Sequence, residues 1–220
     1  MSNDEKTIEY KFALLGESSV GKTSIFKKMT FGYFYEKSVS TIGVEKKTIN
    51  YENIEIEING EKEKKTFNIS FFDTAGQEKY RSIAKNYIKG SDGIILIYDI
   101  TNRKSFELVE SWLNSILEIL PDWKKSDYLI MLLGNKLDLA KKERQNKFDP
   151  IREVETEEAK KKCEDNSLYW GGECSAKNFT DSELKDLFKD FIIALYKKIG
   201  KKKSNSMELK NLGKKGKKCC

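Results

Sequence analysis

One eight-residue stretch, residues 16–23 with the sequence GESSVGKT, constrains the fold of this chain more than any other feature. It fits the pattern G-x-x-x-x-G-K-[ST] of a phosphate-binding loop, in which glycines allow a tight turn whose backbone N–H groups point at phosphate oxygens. In that pattern the lysine reaches the β- and γ-phosphates, and the hydroxyl residue after it is a Mg²⁺ ligand. The candidate phosphate-binding residues are Gly16, Ser18, Ser19, Val20, Gly21, Lys22, Thr23 and Ser24.

The sequence on either side of this stretch has the order that a phosphate loop requires. Residues 10–15 form an apolar run that predicts a strand, and residues 23–31 have the pattern of a helix. A helix that begins near Gly21 directs the positive end of its dipole at the same anion site. The alternative is a Gly/Ser turn that only joins two elements, and the strand–loop–helix order favours the phosphate loop.

The basic residues are concentrated at one end of the chain. The 220 residues include 41 Lys and Arg against 35 Asp and Glu, a net charge of +6. Residues 200–220 hold eight of the lysines but only one acidic residue, Glu208, so the remainder is close to neutral. A nucleic-acid-binding domain is expected to carry its basic excess on the folded surface, so this distribution argues against one. We expect a flexible N-terminus over 1–8, one domain over 9–199 and a flexible basic tail over 200–220.

Other chemistries are excluded by residue usage. The chain has no histidine, which removes Ser-His-Asp and histidine acid–base schemes. Its four cysteines lack metal-site spacing, because Cys163 and Cys174 stand alone and Cys219-Cys220 end the sequence. No signal peptide is visible, and apolar runs such as 94–98 are far shorter than the roughly 20 residues of a spanning helix. We expect a reduced, cytoplasmic protein.

Short apolar runs alternate with helical segments along the rest of the chain. Strands are predicted at 93–99, 128–134 and 168–174, and helices at 78–89, 103–120, 154–165 and 180–198. Period-2 alternation over 54–58 and 67–71, on either side of Asn59-Gly60, predicts an antiparallel hairpin with residues 61–65 as its solvated tip. These elements predict an α/β fold: a six-stranded, mostly parallel sheet with one antiparallel hairpin strand and helices on both faces.

Further polar motifs follow predicted strands, where open α/β sheets bind their ligands. After the third strand, Asp73 can hold Mg²⁺ through water, Gly76 lets the backbone approach a γ-phosphate, and Gln77 can orient an attacking water. After the fifth strand, Asp138 can accept the ring N–H and the exocyclic NH₂ of guanine, a donor pair that adenine lacks. The segment 173–177 ends the sixth strand and can present a backbone N–H to guanine O6.

The ordered motifs GESSVGKT, STIG, DTAGQE, NKLD and CSAK resemble those of the Ras superfamily of small GTPases. The resemblance covers roughly residues 9–198 and implies the G-domain fold of a P-loop GTPase, which binds GTP or GDP with Mg²⁺ and hydrolyses GTP. Within the superfamily, the run 42–44 after Thr41, the stretch 87–90 and the terminal Cys219-Cys220 resemble the Rab family of membrane-trafficking GTPases.

The resemblance also implies roles for single residues. Thr41 resembles the switch threonine whose hydroxyl binds Mg²⁺ and whose N–H meets the γ-phosphate only in the GTP state. Phe34 has the position of an aromatic edge against guanine, and Lys136 that of a lysine whose stem packs along the base. The implied base-binding set is Phe34, Asn135, Lys136, Asp138, Ser175, Ala176 and Lys177. The catalytic candidates are Gln77 and Lys22, and the metal-binding candidates are Thr23, Thr41 and Asp73.

Three positions depart from the usual Rab pattern. Lys46 follows the run Ile-Gly-Val-Glu at 42–45, at a position where Rab proteins usually have an aromatic residue. Phe72 replaces the usual tryptophan before DTAGQE, and Ser38 replaces a tyrosine of the first switch. In Rab proteins the aromatic residues at positions 46 and 72 belong to a triad that faces effectors, and Tyr87 fits its third position. The departures keep two alternatives open: a GTP-binding scaffold with little hydrolysis, and a small GTPase outside the Rab family.

The motifs also predict how the chain is regulated. No arginine among the phosphate motifs resembles a built-in catalytic finger, so we expect slow hydrolysis that an activating protein accelerates in trans. Contacts from Thr41 and Gly76 exist only with GTP, so their loss is expected to release residues 34–46 and 74–90. An exchange factor, an activating protein and effectors are the partners expected at these segments.

The double cysteine at the end of the tail implies a membrane anchor. By resemblance to Rab proteins, Cys219 and Cys220 are the expected sites of geranylgeranylation. Two lipid chains anchor a protein stably, and lysines are attracted to an anionic cytoplasmic leaflet. We expect a peripheral protein on the cytosolic face of intracellular membranes. A solvated tail without function and a nuclear-localisation signal are the alternatives.

Overall fold

The computed structural model describes the chain over residues 7–36, 43–58, 60–74, 81–122, 128–140 and 151–215. Within these ranges, the side chains of 81–84 and 200–215 are not described. The strands are β1 Ile8–Leu15, β2 Val44–Ile58, β3 Glu61–Thr74, β4 Gly93–Asp99, β5 Leu129–Asn135 and β6 Tyr169–Glu173. The helices are α1 Lys22–Phe31, α2 Arg81–Lys89, α3 Arg103–Glu107, α4 Val109–Ile119, α5 Thr156–Asn166 and α6 Asp181–Lys215.

The six strands form one sheet in the order β2-β3-β1-β4-β5-β6. Strand β2 is antiparallel to β3, and every other neighbouring pair is parallel. The predicted α/β class, strand number and single antiparallel strand are therefore confirmed. Because the parallel strands all end at one edge of the sheet, the loops after β1, β3, β5 and β6 meet there.

The core consists of two apolar layers, one on each face of the sheet. Successive residues of β4 alternate between them: Ile95 and Ile97 pack toward α1 and α6, whereas Ile94 and Leu96 pack toward α4 and α5. The first layer is rich in aromatic rings; Phe12 has its ring centroid 5.1 Å from that of Phe191 on α6. Helices therefore cover both faces, as predicted.

The hairpin differs from its predicted form. Strand β2 begins at Val44, ten residues before the predicted alternation, and the run 61–65 lies in β3 rather than in a solvated tip. Ile58 already pairs with Glu61, so the ladder includes the start of the charged run. The charged run forms a strand because acidic and basic residues face each other across the ladder, as Glu57 faces Lys62.

The helices match their predicted positions with three differences. The segment 103–120 is interrupted at Leu108 into α3 and α4, and α4 ends before Pro121, as predicted. Helix α5 begins two residues later than predicted. The backbone of α6 stays helical to Lys215, beyond the predicted end at 198, and the division of the chain at residue 199 stays a prediction. Within the described part of the chain, no helix combines the length and apolar character needed to cross a membrane.

Candidate nucleotide-binding site

A cavity of about 410 Å³ opens at the edge of the sheet where the parallel strands end. Its lining contains most of the predicted nucleotide-binding residues: Ser18, Ser19, Gly21, Lys22, Thr23, Ser24, Phe34, Asn135, Lys136, Asp138, Ala176 and Lys177. It also contains Tyr35, Glu36, Thr74 and Leu139, which were not predicted. Residues from five separate segments of the chain are therefore brought to one site.

The two glycines of the phosphate loop are required for different contacts. At Gly16 φ is 138°, and a Cβ there would lie 2.2 Å from the carbonyl oxygen of Ile97 on β4. At Gly21 φ is 98°, and a Cβ would lie 2.2 Å from Nδ2 of Asn135. Both positions have a left-handed backbone; Gly16 is also approached by the backbone of β4, and Gly21 by the side chain of Asn135, so glycine is favoured at both.

Lys22 begins α1 with its ammonium turned into the phosphate loop. The residue is 5% exposed, and its Nζ donates to the carbonyl oxygens of Gly16 at 2.9 Å and Glu17 at 2.7 Å. Burial lowers its pKa to about 8, although the nearby charges of Asp73 and Glu17 act in the opposite direction. An ammonium buried at the start of a helix is suited to bind an anion such as phosphate.

Asp73 and Thr23 form the part of the site that suits a divalent cation. The Thr23 hydroxyl donates to Oδ2 of Asp73 at 2.7 Å, whereas the buried Oδ1 has no hydrogen-bond partner. Burial raises the pKa of Asp73 to about 6, against the lowering effect of the Thr23 hydrogen bond and the Lys22 charge. An orphaned carboxylate oxygen beside a hydroxyl is a donor set that fits Mg²⁺, which takes one or two carboxylates together with phosphate oxygens and water.

Asn135 joins the phosphate loop to the loop after β6. Its Nδ2 donates to the carbonyl oxygen of Val20 at 2.8 Å, and its Oδ1 accepts from the backbone N–H of Ala176 at 3.2 Å. The residue is 1% exposed at the end of β5. Its position explains why Val20 and Ala176, far apart in the sequence, belong to one site.

Asp138 lines the same cavity as the phosphate loop. Its Oδ1 accepts a hydrogen bond of 2.6 Å from the hydroxyl of Ser175, which also accepts from the N–H of Asn178. Ser175 is buried and does not line the cavity, so its contribution is to hold the carboxylate. This arrangement leaves a fixed acceptor at the cavity wall, which is the chemistry needed to bind the paired N–H donors of guanine.

Phe34 and Lys177 both line the cavity and come from separate parts of the chain. Phe34 is partly buried and packs against the core layer that contains α1. Lys177 has its Nζ 3.0 Å from Oε1 of Glu36, in an ion pair that connects the loop after β6 to the segment after Phe34. Both side chains are exposed, so this ion pair contributes little to stability.

Several predicted residues fall outside the described part of the chain. These are Thr41, Gly76 and Gln77 around the predicted γ-phosphate position, and Cys219 and Cys220 at the end of the tail. Their roles stay predictions.

Two side chains near the site were missed from the sequence. Asp99, at the end of β4, has its Oδ2 2.6 Å from the Nζ of Lys136. Glu17, inside the phosphate loop, accepts a hydrogen bond of 3.1 Å from the indole N–H of Trp112. A signal existed for Asp99, because it ends an apolar run just as Asp73 and Asn135 do. No signal existed for the contact between Glu17 and Trp112.

Comparisons with known proteins agree with this fold and this set of loops. The family model "Ras family" matches residues 11–197. The chain is 36% identical over 200 residues to the Ras-related protein YPTC6 of Chlamydomonas reinhardtii, covering 91% of this chain and 81% of that protein. It is 34% identical over 200 residues to the Ras-related protein Rab-11C of Dictyostelium discoideum, covering 91% of this chain and 78% of that protein.

A phosphate loop, a Mg²⁺-compatible carboxylate and a guanine-compatible carboxylate around one cavity define a guanine-nucleotide-binding protein of the P-loop class. The chain belongs to the Ras family. It is a GTP-binding GTPase with relatives of the Rab and Ypt type.

Proposed function

We propose that this GTPase is a Rab-like, membrane-anchored switch of vesicle trafficking, which hydrolyses GTP slowly. The observation that best supports the proposal is the layout of the cavity. One cavity is lined by Asp138 and by Lys22 and Thr23 of the phosphate loop, and Thr23 is bonded to Asp73. This set of side chains fits a nucleotide whose base and phosphates are bound by different loops.

The base end is proposed to select guanine. Asp138 accepts the ring N–H and the exocyclic NH₂, and the backbone of 175–177 faces O6. Lys136 and Phe34 supply apolar surface along the ring. A buried carboxylate whose donors are absent is penalised, so adenine nucleotides bind poorly.

The phosphate end is proposed to bind charge and to sense the γ-phosphate. Lys22 and the backbone N–H groups of the loop bind phosphate oxygens, and Thr23, Thr41 and Asp73 are the residues that would hold Mg²⁺. Mg²⁺ in such sites neutralises the charge that develops on the phosphates during transfer.

Gln77 is proposed to orient the water that attacks the γ-phosphate. Without an arginine supplied from the chain, positioning alone gives a slow reaction that an activating protein can accelerate. Single-turnover hydrolysis of bound GTP tests this assignment. We expect Gln77→Leu to slow it at least tenfold while GDP affinity is unchanged; equal rates in the two proteins would remove Gln77 from the mechanism.

The effector surface is proposed to differ from that of typical Rab proteins. Lys46 lies over the ring of Phe72, with Nζ 5.7 Å from the ring centroid, and Phe72 lies 5.3 Å from Tyr87. An ammonium therefore occupies the place that the family fills with an aromatic ring. A partner that carries a carboxylate at this point fits better than one that carries a large apolar side chain.

The nucleotide assignment is tested by removing the bound ligand. We expect the purified protein to release guanine nucleotide on denaturation, as identified by chromatography. We expect Asp138→Asn to bind GDP at least a hundredfold more weakly and to bind xanthosine diphosphate better than the wild type does, because Asn offers xanthine a donor. Unchanged GDP affinity would show that Asp138 does not face the base.

The anchor is tested in cells by fractionation. We expect wild-type protein in the membrane fraction, the double variant Cys219→Ser/Cys220→Ser in the soluble fraction, and each single variant in between, because one lipid chain anchors weakly. The single variants serve as matched controls for the change from thiol to hydroxyl. Membrane association of the double variant would exclude the cysteines as the anchor.

A further inference from the structure

Asp99 is the last residue of β4, the strand between β1 and β5, and its side chain is nearly buried. The carboxylate is 8% exposed. Its Oδ1 accepts two hydrogen bonds from Thr101, from the backbone N–H at 2.9 Å and from the hydroxyl at 2.7 Å. Its backbone N–H donates to the hydroxyl of Ser105 at 3.0 Å. Asp99 is therefore held in one orientation by its own strand end.

The second oxygen of Asp99 holds Lys136. Oδ2 lies 2.6 Å from Nζ of Lys136, whose side chain is 29% exposed and lines the cavity. The backbone of Lys136 is left-handed, with φ at 70°, directly after β5. Both ends of this side chain are thus fixed: the backbone by the turn, and the ammonium by a nearly buried carboxylate.

We propose that Asp99 is a positioning residue for guanine, which sets how tightly the base is held by fixing the stem of Lys136 along the cavity wall. This inference rests on the proposed function, because it takes Lys136 as the residue beside the base. A free lysine has several rotatable bonds to immobilise when the base enters, whereas the ion pair has already fixed them.

Removing the charge of Asp99 is expected to affect only the base end of the bound nucleotide. The hydrogen bonds and the ion pair of Asp99 are made with Lys136, Thr101, Ser105 and Asn102, which lie in other loops than the phosphate loop. Loss of its charge should therefore weaken retention of the nucleotide without changing the chemistry at the γ-phosphate. A purely structural role would instead lower stability and leave the retention of bound nucleotide unaltered.

The experiment measures GDP dissociation and single-turnover GTP hydrolysis for Asp99→Asn in the full chain. Asparagine keeps the shape and can still accept from Thr101, so only the charge that binds Lys136 is lost. We expect the GDP dissociation rate to rise about fivefold to tenfold, as for loss of a charge-assisted contact. We expect the hydrolysis rate of already bound GTP to change less than about twofold.

The matched control is Asp92→Asn, just before the other end of the same strand. The carboxylate of Asp92 accepts from the backbone N–H of Lys11 at 2.8 Å, far from Lys136 in the ladder. We expect its GDP dissociation rate to equal that of the wild type. Thr101→Val, which removes only the hydroxyl that holds Asp99, is a milder second variant and is expected to change retention in the same direction by a smaller factor.

A double-mutant cycle with Lys136→Met separates positioning from structure. If Asp99 acts through Lys136, adding Asp99→Asn to Lys136→Met has no further effect on GDP dissociation. An unchanged rate in both Asp99→Asn and Thr101→Val, or an effect of Asp99→Asn that persists in full in the Lys136→Met background, would overturn the proposal. Failure of the wild type to retain GDP in the same assay would instead count against the proposed function.

Discussion

The indole N–H of Trp112 donates a hydrogen bond of 3.1 Å to Oε1 of Glu17, across 95 positions of the chain. This contact joins α4 to the phosphate loop. Trp112 is 2% exposed and belongs to the core layer that also contains Ile88 of α2. The loop that holds Lys22 is therefore attached by a side chain to the helical layer on one face of the sheet.

We predict that Trp112→Phe loosens the phosphate loop. Phenylalanine keeps an aromatic ring in the core but has no donor, and a hydrogen bond to a charged group contributes about 1.5–3 kcal/mol. We expect GDP to dissociate about tenfold faster or more, measured with a fluorescent nucleotide. Trp170→Phe is the control, because Trp170 is only partly buried at the margin of the same layer. Equal dissociation rates in both variants and the wild type would contradict the prediction.

The ion pair between Arg152 and Glu173 is predicted to stabilise the fold above about pH 4.5 and to lose this effect in acid. The guanidinium donates to both carboxylate oxygens, at 2.8 and 2.7 Å, and Thr156 adds a hydrogen bond. Burial acts to raise the pKa of Glu173, but these bonds outweigh it and hold the pKa below its usual 4.5. A carboxyl whose pKa is lower in the folded state contributes stability above its unfolded pKa and loses it as pH falls through the folded value.

The measurement is denaturant unfolding of the wild type and of Glu173→Gln at several pH values from 7 to below 4. We expect the wild type to be more stable by about 1.5–3 kcal/mol near pH 7, the range for hydrogen bonds to a charged group, because the pair is only partly buried. The difference should shrink steadily in acid. Arg152→Met should be destabilised more than the double variant Arg152→Met/Glu173→Met, because it leaves the carboxylate unpaired. A difference that stays constant with pH would exclude Glu173 as the titrating group.

We predict that Gly16→Ala abolishes nucleotide binding whereas Gly60→Ala does not. Both glycines have positive φ, 138° and 84°, so both substitutions carry the strain of that backbone region. At Gly16 the new Cβ would meet the Ile97 carbonyl, at 2.2 Å; at Gly60 no heavy atom of the described residues, apart from the flanking ones, lies within 4 Å. Equilibrium GDP binding separates the clash from the strain. Similar losses in the two variants would mean that strain alone explains them.

The layout of the fold could be predicted from the sequence because most strands have a recognisable pattern of apolar residues within their own segment. The apolar runs of β4 and β5 are buried on both faces, so they need no partner to be recognised. The first half of β2 was missed because β2 is an edge strand with mixed residues, and its pairing with β3 places Lys46 opposite Phe72. When a strand forms because it pairs with its neighbour and has little apolar alternation of its own, its sequence segment alone does not predict it.

The candidate site, like the fold, could be predicted from the sequence in part. Residues that touch a ligand follow strands in recognisable motifs, and most of those within the described ranges line the cavity. The contacts that hold these residues were not predictable. The place of Asp99 at a strand end is visible in the sequence, but its ion pair with Lys136 is not, and neither is the hydrogen bond between Glu17 and Trp112. Contacts between residues so far apart in the sequence can be identified only from the folded structure, in which the sheet brings them together.

The two hydrogen bonds of Asn135 affect how the nucleotide-free protein can open its site. Its single amide group satisfies one backbone oxygen of the loop at residue 20 and one backbone N–H of the loop at residue 176. Neither loop can move away from the end of β5 without breaking its hydrogen bond to this buried amide. Displacing either loop in the nucleotide-free protein should therefore cost the free energy of a buried hydrogen bond, and a partner that releases the nucleotide by moving one of these loops has to offset that cost.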